Sequence, residues 1–192
     1  MSGGFAELAL QPHATSARSP IQAIAASGSV NAAGLLTLEF LLHGDLHKLK
    51  LPQQLPTPAQ RPVRRDELWQ HTCLELFARV GAEPGYLEFN FSPHGDWAAY
   101  EFADYRGARR NLESAACTVR SSREGNSLRV RAALTVPSMA ATGQPASWQL
   151  NLAAVLESSD GALSYWALRH PRALPDFHDP AGFSCTLAVP AH

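Results

Sequence analysis

The sequence predicts an all-β fold, a β-sandwich formed as a single domain over residues 1–192. Three observations carry this expectation. Short runs of alternating apolar residues recur between clusters of Gly, Pro, Asn and Ser, the spacing of strands joined by turns rather than of βαβ units. Helical periodicity is hard to find along the chain. Two neighbouring segments in the middle, Leu68 to Phe77 and Tyr86 to Phe91, sort their side chains by parity, as strands do because successive side chains point to opposite faces. With 192 residues and 45% hydrophobic composition, the chain is long enough to bury a substantial core.

Taken in order, the candidate strands begin with Phe5–Leu10 and Gln22–Ser29. Leu35–His43 places Leu36, Leu38, Phe40 and Leu42 on one face, the rhythm of a half-buried sheet. In Trp69–Arg79, Thr72, Leu74, Leu76 and Ala78 share one face, while Trp69, His71, Cys73, Glu75, Phe77 and Arg79 share the other. Tyr86–Phe91 opposes Leu87, Phe89 and Phe91 to Tyr86, Glu88 and Asn90. Trp97–Phe102 follows, with Trp97 opposite Tyr100 and Phe102, and then Ser114–Ser122. Ser127–Val136 repeats the half-buried pattern, Leu128, Val130, Ala132, Leu134 and Val136 against Arg129 and Arg131. In Ser147–Leu156, Gln149 and Asn151 lie opposite Trp148, Leu150 and Leu152; Leu163–Leu168 sets Trp166 beside Leu168, and Ser184–Val189 closes the series.

The turn residues agree with these assignments. Asn31-Ala32-Ala33-Gly34 and Ser92-Pro93-His94-Gly95 read as hairpin connections, since Asn and Gly tolerate positive φ. Leu51–Pro62, with Pro52, Pro56, Pro58 and Pro62, and Pro171–Pro180 carry no strand pattern and read as surface loops, because proline lacks the amide hydrogen a central strand needs. Loops of that length commonly serve a purpose, of which a ligand lid is one. Val136–Pro145 receives no element.

Charge and cysteine content narrow the function classes. A formal net charge of −1 gives no electrostatic reason to expect nucleic acid or an anionic membrane as partner. Cys73, Cys117 and Cys185 are odd in number and widely spaced, which fits neither a disulfide framework nor a zinc motif and makes them small core residues. The N-terminus has no basic region followed by an apolar one, and no stretch approaches the ~20 apolar residues of a membrane span. The expectation is a soluble, cytoplasmic protein. No nucleophile elbow, phosphate-cradling glycine loop or zinc-protease motif is present.

A sheet face bearing Trp, carboxylates, His and an amide suits a polyhydroxylated or mixed polar and apolar ligand. Several blocks then carry a family resemblance: Trp69-x5-Glu75; Tyr86-Leu87-Glu88-Phe89-Asn90-Phe91-Ser92-Pro93-x-Gly95-x-Trp97; Tyr165-Trp166-Ala167-Leu168-Arg169-His170-Pro171; and Pro175-Asp176-Phe177-His178. In this order they resemble the bacterial DOMON-like proteins, which are similar to the family 9 carbohydrate-binding modules. The resemblance implies a jelly-roll β-sandwich that binds sugar or haem. It implies that Trp69 and Glu75 help form a ligand slot, completed by a second aromatic for which Trp166 and Trp97 are the candidates. It also implies polar contacts from an arginine and amides, roles that Asn90, Gln149, Asn151 and Arg169 are able to fill.

The expected function is a non-catalytic domain binding a carbohydrate or sugar-like ligand, without cofactor or metal. A Trp face stacks on the apolar CH surface of a sugar, while a carboxylate accepts hydrogen bonds from vicinal hydroxyls. Two alternatives come from other classes: a small glycoside-active enzyme using Glu75 and Glu88 as paired carboxylates, and a sandwich that binds another protein through a sheet edge or the proline loops. Haem is the weaker alternative, because the internal methionine, Met139, lies in a loop rich in Ser, Ala and Gly. A metal held by His170, Asp176 and His178, or by His43-x3-His47, lacks any supporting ligand spacing.

Overall fold

The structure, a computed structural model, describes residues 3–16, 18–31, 33–55, 57, 62–81, 84–135 and 146–189. Among them twelve strands run in chain order as β1 (Gly3–Pro12), β2 (Ile21–Val30), β3 (Leu35–Gly44), β4 (Cys73–Val80), β5 (Tyr86–Phe91), β6 (Trp97–Phe102), β7 (Arg109–Asn111), β8 (Ala116–Glu124), β9 (Ser127–Thr135), β10 (Ala146–Glu157), β11 (Leu163–Ala167) and β12 (Cys185–Val189). All pair antiparallel, in two sheets that share β1. The first sheet has the order β1-β2-β3-β9-β8; the second runs β7-β6-β5-β4-β10. Beyond β10, β11 and β12 lie end to end, β12 pairing with residues 146–150 and β11 with residues 153–157. The first residues of β1 pair with β2, whereas Gln11 and Pro12 pair with Ala167 and Trp166 of β11, so one strand passes from sheet to sheet. The fold is an all-β sandwich, as the alternation predicts.

Hydrophobic parity explains the layering. Leu36, Leu38, Phe40 and Leu42 of β3 and Leu128, Val130, Ala132 and Leu134 of β9 face inward from the first sheet. They meet Leu74, Leu76, Phe89, Phe91, Leu150, Leu152, Ala154 and Leu156 from the second in one continuous core. On the outer face of the first sheet, Arg129 and Arg131 both pair with Glu39, so that face is polar.

The second sheet carries a hydrophobic cluster on each face. Cys73, Phe77, Tyr86, Tyr100, Phe102, Ala153, Val155 and Ala167 form a second cluster on its outer side, covered by Phe177 and Phe183 from the segment between β11 and β12. The expected proline-rich stretch 171–180 therefore crosses the sheet rather than standing off it. Asn151, fully buried on β10, donates its amide hydrogen to the Phe177 carbonyl at 2.9 Å. Gly182 passes so near that a Cβ there would meet Asn151 Nδ2 at 3.2 Å.

Boundaries differ from expectation in two places that matter for the site. The expected strand from Trp69 begins at Cys73; Leu68–Gln70 form a 3-10 turn entered through Glu67 in the left-handed region, φ 64°. Arg109–Asn111 form a short edge strand beside β6, unpredicted because it has no apolar alternation. The Ser92 to Gly95 hairpin is present, Gly95 adopting φ 91° and donating to the Ser92 carbonyl at 2.9 Å. At the other hairpin Asn31 Oδ1 accepts from the amides of Ala33 and Leu35. Met139 and the rest of 136–145 lie outside the described residues, as do positions 56 and 58–61 of the first proline-rich loop. No helix among the described residues is long and apolar enough to cross a membrane.

Candidate binding site

The outer face of the second sheet holds a cavity of about 590 Å³. Its floor is made by β4, β5 and β10: Glu75, Phe77, Glu88 and Val155 point into it. Trp69 and Gln70 of the 3-10 turn form one wall, Phe102, Arg106 and Arg109 a second, Leu163 and Tyr165 of β11 a third, and Pro175, Phe177 and His178 of the crossing loop the last. Of the two non-glycine residues with positive φ among the described residues, Arg106 at φ 53° lines this cavity and Glu67 leads into the 3-10 turn that carries Trp69. Such backbone outliers concentrate at ligand sites, where the surrounding structure holds them in place.

Strand register fixes the two carboxylates. Glu75 lies directly opposite Asn90, and Phe77 opposite Glu88, so Glu75 and Glu88 are diagonal neighbours on one face, with backbones roughly 7–8 Å apart. Both are buried, Glu75 to 2% exposure and Glu88 to 5%. Glu88 Oε1 accepts from Asn90 Nδ2 at 2.7 Å, whereas Glu75 Oε1 has no hydrogen-bond partner. Burial pushes the Glu75 carboxyl well above the usual carboxylate range, and the neighbouring Glu88 charge adds to this. Burial also raises Glu88, but the Asn90 hydrogen bond and the positive charges of Arg109 and Arg106 oppose it. The pair is therefore unequal: Glu75 holds a proton more strongly, and Glu88 is the more readily ionised.

A hydrogen-bond chain orients the fourth wall. The Arg106 amide donates to the Tyr86 hydroxyl at 3.2 Å, which leaves the hydroxyl proton for His178 Nδ1, 2.8 Å away. That arrangement assigns the imidazole proton to Nε2, which faces Glu88 Oε2 at 3.9 Å. Burial, with the Arg106 charge, lowers His178 to about 4, so the ring is neutral near pH 7. Arg106 also pairs with Asp176 at 2.9 Å and ties the β6–β7 connection to the crossing loop. The Arg109 guanidinium stacks over Tyr100 at 4.5 Å and over Trp69 at 4.9 Å.

The expected site residues divide by location. Trp69 and Glu75 line the cavity, and Asn90 lies fully buried beneath its floor, bonded to Glu88. Trp97 and Trp166, the two candidates for a second aromatic, pack instead in the core between the sheets. Trp97 is in register with Phe91 and Trp166 with Ala154, both inward-facing, and the Trp166 indole donates to Ser164 Oγ. Asn151 is taken up in holding the crossing loop, Gln149 pairs with Thr186, and Arg169 is exposed outside the cavity lining. His71, expected on the Trp69 face, turns to Glu157 at 2.7 Å. It borders a second cavity of about 370 Å³ on the other side of the 3-10 turn. His170 Nε2 bonds the Gln11 carbonyl and Asp176 is engaged by Arg106 and Tyr105, so neither converges with His178 on a shared point. Among the described residues no group of three His, Cys, Asp or Glu side chains could hold a metal ion.

The aromatic walls are Phe102, Tyr165 and Phe177, which the sequence reading did not select. Parity held the signal for two of them: Phe102 opposes Trp97, and Tyr165 opposes Trp166. Phe177, His178, Arg106 and Arg109 come from segments without periodicity.

No protein-family model matches the chain, and no curated protein matches it. Among solved structures it is similar to a proposed carbohydrate-binding protein from Bacteroides uniformis ATCC 8492, with TM-score 0.59 and 14% identity over 90% of this chain and 83% of that one. At that identity the likeness is one of fold. A red fluorescent protein aligns at TM-score 0.14 and 12% identity over 84% of this chain and 92% of that one, too slight a likeness to bear on the fold.

Proposed function

We propose that the protein is a non-catalytic binding domain that holds a carbohydrate or sugar-like ligand in the cavity on the outer face of the second sheet. The observation that carries this reading is the cavity's construction, with ring systems of Trp69, Phe102, Tyr165 and Phe177 around two buried carboxyl groups. Ring faces complement the CH surface of a sugar, and carboxyls with open lone pairs take its hydroxyls. The shared fold with a proposed carbohydrate-binding protein supports the same reading. The resemblance to DOMON-like proteins and family 9 carbohydrate-binding modules keeps its Trp69 and Glu75 pair, with Tyr165 or Phe177 in place of the core tryptophans.

A glycan array probed with the purified protein tests the proposal. A reproducible sugar hit is expected, and Trp69→Ala should weaken it by about tenfold or more, because stacking on one aromatic face contributes on the order of 1 kcal/mol or above. A blank array, or a hit whose dissociation constant is unchanged in Trp69→Ala, refutes the slot.

A second reading, a small glycoside-active enzyme, draws on the unequal environments of Glu75 and Glu88, the pattern that separates an acid from a base. It requires turnover of a glycoside that both Glu75→Gln and Glu88→Gln abolish.

A further inference from the structure

The floor of the cavity is more acidic than a neutral sugar needs. Glu75 and Glu88 converge there from adjacent strands, and Glu75 Oε1 is buried with no donor from the protein. Three neighbouring donors are committed elsewhere. Asn90 Nδ2 is spent on Glu88, the Tyr86 hydroxyl is taken up by His178, and the Arg106 guanidinium is spent on Asp176. From β10 the floor receives Ala153, in register with Glu75, and Val155, neither of which donates. The Cys73 thiol, next but one to Glu75 on β4, lies closest to Asn90 Oδ1 and the Leu74 carbonyl. Around this floor stand the rings of Phe77, Tyr165 and Phe177, whose π faces favour a cation. At the wall between β6 and β7, Arg109 stacks on Trp69 and Tyr100 without a carboxylate in ion-pair contact among the described residues.

We propose that the ligand of this cavity is a sugar carrying a free amino group, seated with its ammonium on Glu75 and Glu88 and its hydroxyl oxygens toward Arg109. The inference rests on the carbohydrate reading and narrows it. An ammonium offers three donors to two carboxyl groups, where a hydroxyl offers one. It also neutralises the second negative charge that Glu88 otherwise denies to Glu75. The proton balance follows: when the ammonium form enters, Glu75 gives its proton to solvent and the O–H bond is replaced by an N–H donor to the carboxylate. When the free amine enters, the same proton passes to nitrogen and none is released. The charged group that acts on Glu75 is Glu88 on β5; Arg109 and Arg106 from the β6–β7 wall act on Glu88 in turn, His178 of the crossing loop faces Glu88 Oε2 at 3.9 Å, and on its own strand the Cys73 thiol is raised by burial and by the Glu75 charge. His178 is neutral and contributes no countercharge.

The test is titration calorimetry of the full chain with glucosamine, galactosamine and mannosamine, each beside its neutral hexose and its N-acetyl form. Measurements are made at mildly acidic pH in two buffers of different ionisation enthalpy. At least one amino sugar should bind about tenfold tighter than both of its neutral counterparts, a difference of ~1.4 kcal/mol. It should release close to one proton per ligand, and Glu75→Gln should bring the affinity ratio near unity. The proton count is read on the unaltered protein, so it stands whether or not the variant folds. Equal affinities for amino and neutral sugars, or binding without proton release, overturn the amino-sugar inference and leave the carbohydrate reading standing. Absence of heat with every member overturns it as well, and the glycan array then decides the carbohydrate reading separately.

Discussion

Glu75 is the residue at which the fold is least satisfied. A buried carboxyl without a donor favours its protonated form, first because burial strips the charge of solvent and then because ionising it would place a second negative charge beside Glu88. In the unfolded chain the same group ionises near ~4.3. Its proton affinity is thus greater in the folded state, and its contribution to stability is complete below the unfolded value and lost as pH rises through the folded one. Glu75→Gln removes that loss while keeping nearly the same shape. The variant should match the parent at about pH 4 and become progressively more stable than it toward neutral and alkaline pH. Thermal melts of both proteins across that range check this; a gap that stays flat with pH would place the titration elsewhere. At this scale the sequence was half legible. Parity put Glu75, Glu88 and Asn90 on one face, and they are there. It could not distinguish a solvated carboxylate from one sealed under a loop, since burial depends on residues a hundred positions away.

Elements explain why the seal escaped notice. The segment between β11 and β12 has neither alternation nor helical periodicity, so nothing in its pattern says that it lies on a sheet. What places it there is a small set of polar ties: Asn151 to the Phe177 carbonyl, Arg106 to Asp176, and Arg172 to Asp179, whose other oxygen accepts from the Ala181 amide. Asn151 is the fully buried side chain of this set, and its Oδ1 has no hydrogen-bond partner of its own. Asn151→Ala should leave the Phe177 carbonyl buried and unpaired, a loss of ~1–3 kcal/mol. Hydrogen exchange should rise across 170–183 more than in β3 or β9, and ligand affinity should fall with it, because Phe177 and His178 form a cavity wall. Uniform loss of protection, spread evenly over both sheets, would mean that the asparagine supports the core and not the loop. The Trp69 turn shows the same lesson from the other side. Its sequence continues the strand's parity, yet Glu67 in the left-handed region and the 3-10 turn interrupt it before Cys73. The tryptophan still reaches the cavity, from a wall and not from the sheet.

The whole molecule is organised around β10. One of its edges pairs with β4 along eight residues, from Trp148 to Val155, and the other is shared by β12 and β11. Its inward residues Trp148, Leu150, Leu152, Ala154 and Leu156 lie in the core between the sheets, while Ala153 and Val155 help form the cluster beneath the cavity. This arrangement was readable as a class, because alternation over most strands is strong enough to specify two sheets with one shared core. The register of β10 between three partners was not readable, since each partner strand alone satisfies the same alternation. A change in its inward face should therefore be felt on both sides of the second sheet. Leu152, fully buried and opposite Leu76, is the cleanest probe. Leu152→Ala should cost ~2–5 kcal/mol through lost transfer energy and the cavity left behind. That is a large part of the ~5–15 kcal/mol that typically holds a domain together. Leu174→Ala, at a side chain 71% exposed on the crossing loop, should stay within about 0.5 kcal/mol of the parent. Urea unfolding followed by tryptophan fluorescence separates the two, because Trp69 reports on the cavity wall and Trp97, Trp148 and Trp166 on the core. If β10 couples the two faces, the fluorescence and far-ultraviolet circular dichroism transitions of Leu152→Ala should shift together to lower urea with an unchanged slope. Transitions that separate would show the outer cluster and its cavity unfolding independently of the core.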